Sequence, residues 1–407
     1  MMPICKIATS THSFVSKGAE TMTRCIHLAA SFSDRIRKIP TRMSSLSAFA
    51  ILLAWAGVCQ ATGTGYLFVS SEKDHSITVL DGENYEVVKR IRTAARPRHL
   101  QFTPDRSRIF AACGEGNAID IIDVASLTLI DRIEGIDDPE AFEFSPDGKT
   151  MYISLEDDAK LGILDLDAYF RARKEKPDLT VAEISDDDEA MDEDDEDEEE
   201  EGDEGDDEDE RVVGMTTVEV GEEPEGILVS PDGKTVFITS EVANMVHVVD
   251  TATGALKANI VAGTRPRRFA LMPDGKTLWV TNELSGSISV IDLEGSKVVD
   301  TISFEPRGFR PEDVTPVGIT TTSNGATAYV ALGRANHVAV VDIASKRIED
   351  YILVGSRAWN TTLNRSESRL FVANGLSDDI SIIDTASNRV LRSIPVGRVP
   401  YAVLIDD

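Results

Sequence analysis

The stretch from Leu278 to Asp292, LWVTNELSGSISVID, decides the fold. It reads as an apolar strand, a polar turn around Ser285-Gly286, and a second alternating strand that ends in aspartate. The phrase occurs seven times, closing at Asp81, Asp123, Asp165, Asp250, Asp292, Asp342 and Asp384. The spacings are 42, 42, 85, 42, 50 and 42, so one interval holds two periods and another is lengthened by eight residues. A period near 42 built only from strands marks propeller blades, because each small sheet buries its faces only against its neighbours.

Around this stretch the full repeat reads as four strands: Arg267 to Leu271, Leu278 to Thr281, Ser287 to Ile291 and Val298 to Ile302. Pro273-Asp274-Gly275 supplies the first turn, with Pro setting one φ, Asp bonding back to the backbone and Gly accepting positive φ. The ends are uneven. Tyr66 opens on a second-type strand, whereas Pro400 to Ile405 is an innermost strand with no blade of its own. Pairing the two covers both strand edges. The expected fold is therefore all-β: a seven-bladed β-propeller of four-stranded antiparallel blades, closed by the C-terminal strand joining the first blade.

Three segments follow: a leader over 1–63, the propeller over 64–407, and an acidic insertion over 171–213 within the third repeat. In the leader, Arg35, Arg37, Lys38 and Arg42 precede the apolar run 48–58 and small residues, the order of a secretory signal. Eleven apolar residues are too few for an ordinary spanning helix, so the expected mature chain is a periplasmic or secreted monomer without a transmembrane span. Of the residues from Glu183 to Glu210, 22 of 28 are acidic; without them the net charge of −30 would be −8. Such a segment cannot build a core and reads as a disordered excursion.

Candidate chemistry lies where the innermost strands begin. The position after the loop proline, or its equivalent, is Arg98, Glu140, Glu225, Arg267, Val317, Trp359 and Tyr401. Two residues earlier stand Arg96, Asp138, Glu223, Arg265, Thr315, Arg357 and Val399. These rows should ring one mouth of the central channel. From them the candidate binding set is Arg96, Arg98, Glu140, Glu225, Arg265, Arg267, Arg357, Trp359 and Tyr401, for a small polar ligand or a partner loop. The expectation is an exposed ring, whose charge pairs add little to stability. Glu72, Glu156, Glu241 and Glu283 occupy one position in the second-to-third-strand turns and read as a solvated rim, too widely spaced to share a cation. No catalytic residue, metal site or cofactor is assigned: His75, His99, His247 and His337 share no repeat position, and no haem, P-loop, HExxH or nucleophile-elbow motif occurs.

The stretches YISLEDDAKLGILD (152–165), LWVTNELSGSISVID and FVANGLSDDISIID (371–384) resemble the YVTN family of bacterial propellers. DPEAFEFSPDGKT, EPEGILVSPDGKT, PEDVTPVGI and ALGRANHVAVVD extend the resemblance to the exported propellers associated with pyrroloquinoline quinone (PQQ)-dependent alcohol catabolism. That resemblance implies an exported, non-catalytic accessory that binds a periplasmic partner protein or a small polar ligand of a quinoprotein oxidation system. The alternative is a lactonase-type hydrolase, since seven-bladed propellers also serve as lactonases. Single-stranded nucleic-acid binding ranks third, because acids interleave with the basic residues of the mouth.

Overall fold

The computed structural model describes residues 63–175 and 212–407; the leader and the acidic run lie outside them. Within the described residues, seven separate four-stranded antiparallel sheets form. Blade 2 runs Pro97–Phe102, Arg108–Cys113, Ala118–Asp123 and Thr128–Glu134 from axis to rim, and the other blades follow the same order. The innermost strands touch one another around a complete ring. No helix among the described residues is long and apolar enough to cross a membrane.

Strand alternation explains why the blades stack. In Tyr66–Ser71, Leu67 and Val69 face blade 7, where they meet Phe371, Ile380 and Ile382. Phe68, between them, faces blade 2 and packs with Ile109 and Phe102. Side chains at alternate positions point to opposite faces, so a strand apolar at every position serves two interfaces. Seven apolar clusters result, one between each pair of adjacent blades.

The ring closes through the tail. Pro400–Asp406 pairs antiparallel with Tyr66–Ser71, matching Leu67 to Ile405, Phe68 to Leu404 and Val69 to Val403. Asp406 fastens the joint: its Oδ2 accepts from Thr64 N at 2.7 Å, and its Oδ1 accepts from Arg106 Nη2 at 2.9 Å.

One element departs from the sequence reading. The chain leaves blade 3 as a helix, Leu166–Glu175, where the insertion was expected to begin at residue 171. Leu166, Tyr169 and Phe170 fall at helical spacing and pack, with Val212, against the cluster between blades 2 and 3. Arg173 pairs with Asp131 of blade 2 at 2.6 Å. The whole excursion therefore starts from the face opposite the channel mouth, beside the first-to-second-strand turns, where Leu166 N donates to Lys149 O.

Deleting residues 399–407 removes the closing strand and exposes the apolar faces it covers. Burial of Val403 and Ile405 alone is worth ~1.5–3 kcal/mol each, so the truncated chain should lose cooperative thermal unfolding or solubility. An unchanged melting curve in calorimetry would refute closure by this strand.

Candidate functional site

The loops into the innermost strands and the second-to-third-strand turns share one face, and a repeated clamp joins them. The last turn residue is His75, Asn117, Asn244, Asn336 or Asp378, each with positive φ. Its side chain accepts the backbone N–H of Arg96, Asp138, Arg265, Arg357 or Val399 of the next blade at 2.8–3.0 Å. Those five loop residues also have positive φ, which side chains other than glycine adopt at a cost. The clamp holds them there. His75 thus stands in for asparagine.

Just below, buried hydroxyls set the strands that carry the ring. Ser70, Ser154, Thr239 and Thr281 bond the carbonyls of Arg98, Glu225, Arg267 and Val317 on the following blade at 2.7–3.3 Å. The same hydroxyls meet the backbone N–H groups of Ala402, Ala141, Gly226 and Arg268, where the ladder with the second strand shifts register.

The structure brings the nine candidate residues together at the mouth, but it corrects the expectation that they form an exposed ring. Glu140 is 0 % exposed, Glu225 1 % and Arg267 4 %, and Tyr401 is buried. Glu72, Glu241 and Glu283 are buried as well and Glu156 is half-buried, so the turn carboxylates are not a solvated rim. The three buried ones point inward to answer the arginines, because a buried guanidinium needs carboxylates around it.

Two ion networks result. In the first, Arg98 binds Glu140 and, at 3.2 Å, Glu72. Arg96 binds Glu140 at 2.6 Å and Asp138 at 3.1 Å. In the second, Arg267 contacts Glu241, Glu225 at 3.2 Å and Glu283 at 3.7 Å. Arg265 contacts Glu241 at 2.5 Å and Glu283 at 3.3 Å, and Arg357 reaches Glu283 at 3.3 Å. Tyr401 joins the halves from the middle. Its hydroxyl, coming from blade 1, reaches Glu225 of blade 4 at 3.1 Å and accepts from Arg268 of blade 5 at 2.7 Å. The phenol ring therefore crosses the channel and floors the mouth, with Arg98 5.0 Å above its centroid.

The carboxylates separate electrostatically. Burial opposes ionisation of Glu225, but Arg267, Arg268 and Arg98 outweigh it and hold this carboxyl far below the usual range. Burial, then the charge of Glu140 and a hydrogen bond with it, push Glu156 up to about 9. Burial and Glu140 also raise Asp138. Asp138, Glu140 and Glu156 offer oxygens within 4.8 Å of one another. They are a compact acid–base group whose charge is met by Arg96, Arg98 and a retained proton. Burial likewise pushes Glu241 up to about 8 against the pull of Arg267 and Arg265.

Arg268, Asp138, Glu72, Glu156, Glu241 and Glu283 are the members absent from the sequence-based set. The signal for two of them was a spacing: Arg98 and Arg267 each follow their turn carboxylate, Glu72 or Glu241, by 26 residues.

Comparison with known proteins agrees with this architecture. Residues 253–394 match the model described as lactonase, 7-bladed beta-propeller, and residues 35–170 match that of the YNCE-like beta-propeller. No curated protein sequence matches significantly. Among solved structures, the chain is similar to Kuenenia stuttgartiensis hydrazine synthase (TM-score 0.63, 17% identity, covering 80% of this chain and 94% of that one). It is also similar to PpgL, the periplasmic gluconolactonase of Pseudomonas aeruginosa (0.61, 20%, 84% and 99%). A third is the dihydro-heme d1 dehydrogenase NirN (0.58, 16%, 84% and 75%). These likenesses are of fold. They lend no support to the accessory role in PQQ-dependent alcohol catabolism.

Arg267→Glu tests the burial directly. It would leave Glu225, Glu241 and Glu283 without their shared cation, and breaking a buried pair costs ~3–5 kcal/mol. A large fall in melting temperature is expected; a fall under two degrees would restore the exposed ring.

Stability should also decline from mildly acid to alkaline pH. The folded chain keeps a proton on Glu156 that the unfolded chain releases above ordinary carboxyl values. That contribution is complete at low pH and is lost as pH rises towards about 9. Melting temperatures measured from pH 5 to 9 should fall less steeply in Glu156→Gln; parallel profiles would count against the retained proton.

Proposed function

We propose that the protein is a lactone hydrolase of the seven-bladed propeller type, acting at the charged mouth and exported to the periplasm. The observation that carries this reading is the cluster of Asp138, Glu140 and Glu156, whose carboxyl oxygens lie within 4.8 Å of one another, beside Arg96. The match of residues 253–394 to the lactonase model supports it. Export is supported by the basic-then-apolar leader and by the fold shared with a periplasmic gluconolactonase.

Lactone hydrolysis needs a base for water, a cation for the carbonyl oxygen and an acid for the leaving alkoxide. Asp138 takes a proton as water adds to the carbonyl carbon. Arg96, partly exposed at the mouth, stabilises the resulting oxyanion. As the oxyanion collapses and the ring C–O bond breaks, Glu156 gives its proton to the alkoxide and the hydroxy acid leaves. The proton on Asp138 then passes to Glu156, whose oxygens lie within 4.8 Å, restoring both groups. Two carboxyls set apart in proton affinity by their surroundings are suited to such divided roles.

The test is pH-stat titration with δ-gluconolactone and γ-butyrolactone. Wild type should consume base above the spontaneous rate, and Glu156→Gln should lower kcat ~10²-fold or more, as for loss of a general acid. No turnover of either lactone by the wild type would remove this reading.

A further inference from the structure

Across the channel from the acid group of blade 3, the mouth is cationic and its donors are incompletely answered. Arg357 and Trp359 of blade 7 stand together, with the guanidinium carbon 4.3 Å over the indole ring. Both Arg357 Nε and Trp359 Nε1 are buried without a hydrogen-bond partner. The indole nitrogen lies against Gly375, where a side-chain carbon would come within 2.3 Å of it. The glycine therefore makes room for this edge of the indole.

Most of the charge around Arg357 is of its own sign. Arg357 has one carboxylate, Glu283 at 3.3 Å, and Glu283 also serves Arg265 at 3.3 Å and Arg267 at 3.7 Å. Arg334, in the adjoining turn of blade 6, is exposed and makes no ion pair among the described residues. Burial lowers the proton affinity of Arg357, and the charges of Arg334, Arg267 and Arg265 lower it further against the pull of Glu283. Stacking on Trp359 explains where the guanidinium rests. It does not explain why exposed Arg334 adjoins an Arg357 whose carboxylate is shared with two other arginines.

We propose that Arg357 and Arg334, with Trp359 stacked against the Arg357 guanidinium, form a binding subsite for a small organic carboxylate. A flat group with two oxygens can accept from both guanidiniums together, and its single negative charge supplements the one carboxylate that Arg357 shares with Arg265 and Arg267. On the opposite wall Arg96 and Arg98 are each already engaged by two carboxylates, so the ligand lies with its own carboxylate towards blades 6 and 7. These residues are separate from the acid group, and the subsite stands whether or not lactones are hydrolysed.

Calorimetric titration of the full chain at pH 7 tests it with three probes: gluconate, the uncharged polyol glucitol, and inorganic phosphate. Gluconate should bind, glucitol should not, and phosphate should bind more weakly than gluconate. Arg357→Gln should weaken gluconate ~10-fold or more, the loss expected for a hydrogen bond to a charged group. Arg334→Gln, at an exposed position that cannot disturb the fold, should weaken it less and flatten its salt dependence. Gluconate binding without lactone turnover would support the subsite while removing the hydrolase reading. No gluconate binding by the wild type, equal binding of glucitol, tighter binding of phosphate, or unchanged affinity in both variants would overturn the proposal.

Discussion

A guanidinium withdrawn from water must be surrounded by carboxylates, and Arg267 imposes that demand on this molecule. Its partners Glu225 and Glu241 come from blade 4 and Glu283 from its own blade 5. The shape of the mouth follows from satisfying it. Glu225, drawn to Arg267 and Arg268, also accepts the Tyr401 hydroxyl, which pulls a phenol from blade 1 across the axis. Glu283 is divided among three arginines and answers none of them fully. The blades stack by apolar burial, but what the channel presents to solvent is settled by how this ion cluster distributes its charge.

That distribution gives the mouth two unlike walls. On blade 3 and its neighbour, carboxyls crowd together until one of them holds its proton. On blades 6 and 7, guanidiniums crowd together while donors go unused. With blade 3 standing opposite the junction of blades 6 and 7 in a ring of seven, the two walls face each other across the opening.

Much of the fold was legible because blade geometry repeats. A residue at one position in each period lies at one height and radius, so Arg98, Glu140, Glu225 and Arg267 could be placed in a ring from spacing alone. Their burial could not, because it depends on the turn of the preceding blade supplying a partner. Glu72 and Glu241 were visible as a row of turn carboxylates, yet their side chains fold inward only because Arg98 and Arg267 lie 26 residues on. The helix Leu166–Glu175 was hidden for another reason. It interrupts a strand repeat beside a highly charged segment, and only Leu166, Tyr169 and Phe170 mark its apolar face.

The joint between Tyr66–Ser71 and Pro400–Asp406 also sets the order of events in folding. Thr64 and Asp406, bonded at 2.7 Å, are 342 residues apart along the chain. Most other ladders join neighbouring strands of one hairpin and form locally, whereas this pairing must close a loop holding nearly the whole propeller. Blades 2 to 7 can each assemble from contiguous sequence, but blade 1 remains three-stranded, with a bare inner edge, until the last strand arrives. A half-made ring thus displays an unpaired strand to any neighbouring chain, including another copy offering the same missing strand. Closure within one molecule competes with exchange between two, and dilution or a chaperone covering that edge would favour the ring.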